Sequence, residues 1–237
     1  MKIWYLDNSG FCLEQEGVLL VFDCWKFPKA GEGGEGFLSK EEVAGYSSAY
    51  IFVSHVHGDH FNKKVFGWAA DNVTYLVDEG VPVPPGVRSV KLKSGGQYQD
   101  GKIRVLAHPS TDLGVSFQVE IFGKTIFHAG DLNCWHWAGD NTEQEERQAR
   151  AEFTQALEEV SQKMPRADVT FFPVDPRLGP QLDDGALEFL RKIEVGLFVP
   201  MHFGQEFAAA AAFAKKMEGK ARVFAPARPG DSLEISC

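Results

Sequence analysis

Short apolar runs separated by turn residues dominate the first part of the chain, which is the pattern of β-strands. Three such runs, Ile3–Leu6, Phe11–Gln15 and Val18–Phe22, alternate with turns that contain Asn, Ser or Gly, and they predict neighbouring antiparallel strands. A fourth run, Ala49–Ser54, is continuously apolar, as expected of a strand that is buried on both faces.

Farther along the chain, strand patterns alternate with helical periodicity. Further strands are predicted at Val73–Val77, Val87–Leu92, Ile103–Ala107, Val115–Ile121, Thr125–His128, Val169–Val174, Val195–Pro200, Arg222–Ala225 and Leu233–Ser236. Helices are predicted at Asn62–Ala70, Thr142–Met164, Asp183–Ile193 and Gln205–Met217. This order predicts one α/β (α+β) domain over residues 1–237, with two mixed sheets and helices outside them.

Two segments are predicted to be irregular. Val81–Gly86 (VPVPPG) cannot form regular structure because proline lacks the backbone donor that helices and sheets need. Lys29–Gly36 (KAGEGGEG) is a glycine-rich loop, and it is either a mobile flap or an ordinary surface loop.

Composition narrows the choice of partners and location. The 237 residues carry a net charge of -9, which argues against nucleic acid or an anionic membrane as the main partner. The longest apolar runs are too short to span a bilayer, and the N-terminus has no signal-peptide pattern. The four cysteines are scattered, which indicates reduced thiols in a cytoplasmic protein; a Cys12–Cys24 disulfide is the alternative.

A dense group of metal-binding side chains, in the sequence SHVHGDH, follows directly after the apolar run Ala49–Ser54. Its candidate ligands are His55, His57, Asp59 and His60. Imidazole and carboxylate groups suit Zn²⁺, Mn²⁺ or Fe, and alternate residues of an extended segment point the same way. A solvated polar loop would explain neither the ligand types nor their place at the end of a buried strand.

Two other predicted strands end in metal-ligand side chains. Asp131 follows Thr125–His128 in the sequence AGD, where its carboxylate could bridge two ions or cap the following turn. His202 follows Val195–Pro200 in VPMHF, where it is either a ligand or a hydrogen-bonded core histidine. We favour the ligand in both cases, since function gathers at strand ends.

SHVHGDH, HAGD and VPMH, in this order and spacing, resemble the motifs of the metallo-β-lactamase-like superfamily over essentially the whole chain. The resemblance implies a four-layer αβ/βα sandwich with a binuclear metal centre at one edge. It implies that His55 and His57 bind the first metal, that Asp59, His60 and His202 bind the second, and that Asp131 bridges them.

The chain departs from this family at one ligand. Members usually supply a third histidine to the first metal, and here the corresponding position is Thr111. His108 and Asp112 are the candidate replacements, and occupancy by a single metal is the alternative to two. The surrounding segments resemble a hydrolase-like subgroup without a defined substrate, and they do not resemble the antibiotic-cleaving members.

Several other residues are candidates for the site. Trp135, His136 and Trp137 are predicted either to form a substrate-binding wall of aromatic faces, with His136 as its polar handle, or to pack in a corner of the core. Arg177 is predicted to bind an anionic substrate group or, slightly favoured, to pair with Asp175. His128 either orients a ligand or, the favoured alternative, is a buried hydrogen-bonded histidine.

These residues predict metal-assisted hydrolysis, in which a water activated by a pair of metal ions, zinc in the first instance, attacks the substrate. Asp59 and Asp131 are the candidate catalytic residues, and Asp23 is expected to brace the metal loop through hydrogen bonds. A small ester, lactone, amide or phosphodiester, preferably anionic, would suit such a centre. The alternatives are an iron-dependent redox enzyme of the same fold and a non-catalytic metal-binding protein; a homo-oligomer is compatible with each.

Overall fold

The computed structural model describes residues 1–27 and 37–235. It forms two compact units, of which the first comprises Met1–Leu92 with Pro226–Cys237 and the second comprises Lys93–Ala225. The predicted glycine-rich loop Lys29–Gly36 lies outside the described residues.

A mixed sheet of seven strands forms the first unit. Its strands are β1 (Lys2–Asp7), β2 (Gly10–Gln15), β3 (Val18–Phe22), β4 (Ser48–Val53), β5 (Val73–Asp78), β6 (Ser89–Leu92) and β13 (Ser232–Glu234). They lie in the order β13-β1-β2-β3-β4-β5-β6. The pairs β13–β1, β1–β2 and β2–β3 are antiparallel. The pairs β3–β4, β4–β5 and β5–β6 are parallel.

Short helical segments lie between the strands of the first unit. Helix α1 (Lys40–Gly45) begins at a capping box, in which Ser39 and Glu42 satisfy each other's backbone donors. A 3-10 helix covers Lys63–Trp68. Its Val65 carbonyl accepts a hydrogen bond from the buried Tyr75 hydroxyl at 2.7 Å, which fixes this segment to the sheet.

A mixed sheet of six strands forms the second unit. Its strands are β7 (Gln97–Gln99), β8 (Arg104–Pro109), β9 (Val115–Ile121), β10 (Lys124–His128), β11 (Arg166–Pro173) and β12 (Glu194–Met201), and its helices are α2 (Glu143–Lys163), α3 (Asp184–Lys192) and α4 (Phe207–Lys216). The order is β12-β11-β10-β9-β8-β7. The pairs from β10 to β12 are parallel and the others antiparallel.

Aromatic contacts hold the helices of the second unit against its sheet. Phe189 of α3 lies between Phe127 and Phe172, with ring centroids at 5.3 Å and 4.8 Å. Phe213 of α4 packs on Phe198 of β12 at 5.1 Å. All five rings are buried, and burial of such large apolar side chains is the main source of stability for these helices.

The structure confirms most predicted elements and corrects several. The strand predicted at Arg222–Ala225 is wrong, because only an isolated bridge joins Val223 to Phe198 there. The helix predicted at Asn62–Ala70 is a 3-10 helix. The sequence did not predict α1, β7 or the 3-10 helix at Pro176–Gln181.

The described residues also test the predictions about a disulfide and about membrane-spanning segments. Cys12 and Cys24 are buried free thiols, so the alternative disulfide between them is not formed. Within residues 1–27 and 37–235, no helix has the length and apolar character that crossing a bilayer requires.

Candidate metal centre

The loop after β4 carries the predicted histidines of the first unit. Its turn closes through hydrogen bonds from the amides of His60 and Phe61 to the carbonyl of His57, at 3.0 and 2.9 Å. The ring centroid of His55 lies 4.6 Å from that of His57 and 4.1 Å from that of His60. His55 and His60 are fully buried, whereas His57 is exposed. The loop therefore gathers three imidazoles into one cluster.

Asp23 anchors this cluster from the end of β3, as predicted. Its Oδ1 accepts a hydrogen bond from the Ser54 amide at 2.8 Å. Its Oδ2 lies 2.6 Å from the Ser54 hydroxyl and 2.8 Å from Nδ1 of His60. The Ser54 hydroxyl is in turn 2.9 Å from Nδ1 of His55. Asp23 thus holds two candidate ligands, one directly and one through Ser54.

The proton positions in this network follow from Asp23. A carboxylate only accepts hydrogen bonds, so Nδ1 of His60 and the Ser54 hydroxyl both donate to it. The serine has then spent its single proton, so it accepts from Nδ1 of His55. With the Nδ1 proton held in this way, the neutral form of each ring carries on Nε2 the lone pair that a metal ligand needs.

Asp59 lies on the Nε2 side of the His60 ring, whereas Asp23 contacts the Nδ1 side. Its Oδ2 accepts a hydrogen bond from Nδ2 of Asn8 at 3.3 Å and lies 3.9 Å from Nε2 of His60. Asn8 sits in the β1–β2 turn with a positive φ of 51°, a conformation that Asn tolerates better than most residues. Sequence patterns could not predict this role of Asn8, because turn asparagines are common.

In the second unit, Thr111 fastens the loop that contains Asp131. Its hydroxyl lies 3.2 Å from the carbonyl oxygen of Asp131 and 2.6 Å from that of Asn133, and it accepts the Asn133 amide at 2.9 Å. The indole N–H of Trp135 also donates to the Asp131 carbonyl, at 2.8 Å. The residue at the position of the expected third histidine is therefore a brace for the Asp131 loop.

His202 lies directly after β12, and its backbone has a φ of 67°, in the left-handed region. Its Nδ1 is 2.8 Å from Oδ2 of Asp175, and its Nε2 is 3.3 Å from Oδ1 of Asp131. Arg177 binds Asp175 through Nε and Nη2, which confirms the favoured pairing. Burial alone would raise the pKa of Asp175, but the hydrogen bonds from His202 and Arg177 hold it at about 2.

The contact between His202 and Asp131 tests whether a metal fits. Because Asp175 is ionised and accepts from Nδ1, neutral His202 presents a lone pair at Nε2 towards the lone pairs of Asp131. Two acceptors at 3.3 Å repel each other unless a second proton or a cation lies between them. Nε2 of His60 faces Asp59 in the same way within the first unit. Both donor sets therefore fit a cation with nitrogen and oxygen ligands.

The candidate ligands are distributed over both units. Among residues 1–27 and 37–235, the grouped His and Asp side chains that could hold a metal ion are His55, His57, Asp59 and His60 in the first unit and Asp112, Asp131 and His202 in the second. Asp112 is exposed in the turn before β9.

His108 does not support its predicted role as a replacement ligand. It is fully buried in β8, and its Nε2 is 2.8 Å from Oε1 of Gln118. Its ring lies 6.0 Å from that of Phe127, which stacks on Phe189 of α3, so His108 faces the helix-covered side of the sheet. Burial lowers its pKa, which favours the neutral ring.

The other two candidate histidines are also buried. His128 accepts a hydrogen bond from the Gly130 amide at Nδ1, at 3.2 Å, and its ring lies 5.9 Å from that of Phe171. His136 accepts the Ala138 amide at 3.1 Å and has no exposed surface, so the expected polar handle on a substrate wall is not supported.

Two half-buried tryptophans and Arg177 form a surface, here called the indole wall, beside the Asp131–His202 pair. The rings of Trp135 and Trp137 stack at 5.7 Å with an interplanar angle of 12°. Trp135 lies 5.4 Å from the ring of His202, and the Arg177 guanidinium carbon lies 5.5 Å from the ring of Trp137. The sequence predicted both tryptophans and Arg177 as candidates, whereas His136, the predicted polar handle between the tryptophans, is buried.

Three sequence relatives share the name UPF0173 metal-dependent hydrolase. The protein of Carboxydothermus hydrogenoformans is 26% identical over 157 residues, which is 57% of this chain and 64% of that protein. The protein of Natranaerobius thermophilus is 27% identical over 146 residues, 57% and 62% of the two chains. The chain thus spans less than two thirds of both. The protein of Desulforamulus reducens is 25% identical over 227 residues, 86% of this chain and 84% of that one.

Solved structures share the fold over nearly the whole chain. The metallo hydrolase Igni18 of Ignicoccus hospitalis has a TM-score of 0.66 and 17% identity, with 99% of each chain covered. The diiron β-hydroxylase CmlA of Streptomyces venezuelae has a TM-score of 0.68 and 12% identity, over 99% of this chain and 54% of that one. The metallo-β-lactamase fold protein YhfI of Bacillus subtilis has a TM-score of 0.58 and 11% identity, over 98% of each.

No family model matches the chain. The fold nevertheless follows from the structural similarity, and it agrees with the predicted arrangement of two mixed sheets with helices. The motifs SHVHGDH, HAGD and VPMH lie at the strand ends where the sequence placed them. The chain therefore has the metallo-β-lactamase fold, and it is similar in sequence to proteins named metal-dependent hydrolases.

Proposed function

We propose that the protein is a metal-dependent hydrolase. The observation that carries this proposal is the repeated pairing of a carboxylate-anchored imidazole with a facing aspartate, His60 with Asp59 and His202 with Asp131. Within each pair, the imidazole Nε2 and the carboxylate oxygen direct their lone pairs towards each other, which is the electrostatic requirement of a cation site. The name that three sequence relatives share, metal-dependent hydrolase, is consistent with it.

We propose two zinc ions as the cofactor, with Mn²⁺ or Fe as the alternatives. The proposed ligands are His55 and His57 for the first ion, Asp59, His60 and His202 for the second, and Asp131 for both. The neutral Nε2 atoms and carboxylates offered by these residues suit zinc. Since Thr111 is a brace, the first ion lacks a third histidine and has only the exposed Asp112 as a candidate in its place, so we expect it to bind more weakly than the second.

The chemistry supplied by bound zinc is a water of lowered pKa, from ~15.7 to about 7, and polarisation of the attacked carbonyl or phosphoryl group. The contribution of the protein is to keep the ligand atoms deprotonated and directed at the metal position. Asp23 and Asp175 hold protons on the Nδ1 atoms, so that the Nε2 atoms stay free of them. The proposed proton acceptor is Asp59, whose half-exposed carboxylate would take a proton from water at a loaded centre.

The indole wall supports a small substrate with a flat or apolar body and an anionic group. Stacked indoles bind flat apolar surface, and the Arg177 side chain is 59% exposed beside them. An ester, lactone, amide or phosphodiester with a carboxylate or phosphate would use both features.

We further propose a cytoplasmic location, on the basis of the buried thiols of Cys12 and Cys24.

The test is hydrolysis by chelator-stripped and zinc-reloaded protein on matched pairs of esters, lactones, amides and phosphodiesters, each with and without a carboxylate. We expect activity only after reloading, higher on the anionic member of a pair, and abolished by His60→Ala. Metal-independent activity would contradict the proposal. Iron in the purified protein, together with inactivity on every substrate, would instead favour the redox alternative of the CmlA kind.

A further inference from the structure

Asp175 and Arg177 lead from the surface of the second unit to the ring of His202. Arg177 binds Asp175 through two nitrogens, with Nε 3.0 Å from both carboxylate oxygens. Asp175 has no exposed surface, and its Oδ2 lies 2.8 Å from Nδ1 of His202. The ring of Trp137 lies against the guanidinium. The four side chains form one continuous series of contacts.

The distances determine which ring nitrogen of His202 carries its proton. Nδ1 lies 2.8 Å from the carboxylate and 3.1 Å from Nη2 of Arg177. If Arg177 donated to Nδ1, the lone pairs of Nδ1 and Asp175 would face each other at the shorter distance. A proton on Nδ1 that is donated to Asp175 removes this repulsion and leaves Nε2 unprotonated.

We propose that Asp175 and Arg177 are positioning residues that select this tautomer of His202 and aim its Nε2 at the metal. Asp175 selects the tautomer, and Arg177 holds the carboxylate in the plane that Nδ1 requires. The inference rests on the proposed function for the role of His202 as a ligand, but its statement about the proton does not depend on bound metal.

Local structure explains how the short segment from Asp175 to Arg177 can orient the ring of His202. Asp175 caps the 3-10 helix at Pro176–Gln181 and accepts the Arg177 amide at 2.9 Å, so both residues are fixed at one turn. β11 and β12 are parallel neighbours, and Pro173 lies opposite Met201. Parallel strands end at the same edge of a sheet, which brings Asp175 beside His202. Lysine at position 177 could not bind both carboxylate oxygens in this geometry.

The first test is the tautomer of His202 in metal-free protein, read from long-range ¹H–¹⁵N correlation spectra of histidine-labelled samples. The resonance is assigned by its loss in His202→Gln. We expect protonated Nδ1 in the wild type and a mixture of tautomers in Asp175→Asn. Protonated Nε2 in the wild type, or an unchanged tautomer in Asp175→Asn, would overturn the proposal.

The second test is zinc affinity by competition with a chromophoric chelator. We expect Asp175→Asn to bind zinc about 10- to 100-fold more weakly. Arg177→Lys keeps the charge, is the second variant in case Asp175→Asn does not fold, and should weaken zinc binding by a smaller factor. The matched control is Arg166→Lys at the start of β11, an exposed ion-pair residue, with unchanged affinity expected.

The two tests separate the inference from the proposed function. Wild-type affinity in both Asp175→Asn and Arg177→Lys, while His202→Gln loses zinc, would overturn the inference and leave the metal centre intact. A wild type that binds no zinc would contradict the proposed function, and the tautomer measurement would still decide the role of Asp175.

Discussion

Oδ2 of Asp23 lies 2.8 Å from Nδ1 of His60, and both side chains are completely buried. The same carboxylate accepts hydrogen bonds from the amide and the hydroxyl of Ser54. Asp23 therefore lies at the centre of the polar network beneath the loop of histidines. Removing its charge leaves buried donors without an acceptor, which costs free energy even in the absence of metal.

We predict that Asp23→Asn lowers the unfolding free energy of metal-free protein by about 1–3 kcal/mol, because an amide cannot accept from all three donors. It should also weaken zinc binding by about 10- to 100-fold, since His60 loses its fixed tautomer. Urea unfolding and zinc titration measure the two effects. Asp71→Asn, at an exposed position of the same unit, is the control, and equal stability of the two variants would argue against the network.

Thr111→Val should loosen the loop that carries Asp131. Valine keeps the shape of threonine but removes the hydroxyl that contacts the carbonyls of Asp131 and Asn133 and accepts the Asn133 amide. We expect a loss of about 1–3 kcal/mol in unfolding free energy, together with weaker zinc binding. Thr111→Ser retains the hydroxyl and should stay near the wild type. Equal behaviour of the valine and serine variants would show that the hydroxyl does not brace the loop.

Gly185 of α3 leaves room for the side chain of Asn133. A Cβ atom at this position would lie 2.1 Å from Oδ1 of Asn133 and 3.1 Å from the Cys134 amide nitrogen. We predict that Gly185→Ala destabilises the protein by about 1–3 kcal/mol, although alanine is the better helix former. Thermal unfolding measures this change. Gly67→Ala, where a Cβ meets nothing within 4 Å, is the control, and stabilisation by Gly185→Ala would contradict the predicted clash.

His108 should make the stability of the second unit depend on pH. Burial lowers its folded-state pKa below the unfolded value of about 6.5, so below that pH the unfolded chain binds more protons. The stabilisation is present above about pH 6.5 and declines as the pH falls, by at most about 1.4 kcal/mol per pH unit. The Gln118 contact and Glu159 oppose the shift, and Lys163 adds to it.

Unfolding by urea between about pH 7.5 and pH 5.5 measures this effect in metal-free protein. His108→Gln should flatten the decline relative to the wild type, because glutamine does not titrate. Parallel curves for the two proteins would mean that another group causes the pH dependence.

The sequence predicted those parts of the fold that local patterns determine. β3 and β9 have the predicted bounds, because turn residues flank both strands and their local patterns are clear: β3 is continuously apolar, and β9 alternates apolar with polar residues. β7 was missed because its residues, QYQ, are polar, and the strand depends on its pairing with β8. Arg222–Ala225 has an apolar pattern but forms only a single bridge.

In the site, the ligand types and their strand ends could be predicted, but their partners could not. The contact between Thr111 and the Asp131 loop joins residues that are 20 positions apart through a main-chain carbonyl, which no sequence pattern encodes. Likewise, the burial of His136 between two half-exposed tryptophans depends on the conformation of the turn. The Asp175–Arg177 pair was predicted because it is local, whereas its contact with His202 arises from the packing of β11 beside β12.

The most direct test of the proposed centre is the crystal structure of zinc-loaded protein, with anomalous diffraction recorded at the zinc edge. We predict zinc within about 2.0–2.2 Å of Nε2 of His60 and His202 and of carboxylate oxygens of Asp59 and Asp131. A second, less occupied zinc is expected at His55, His57 and the shared Asp131. Zinc bound elsewhere, or by residues of only one unit, would contradict the account.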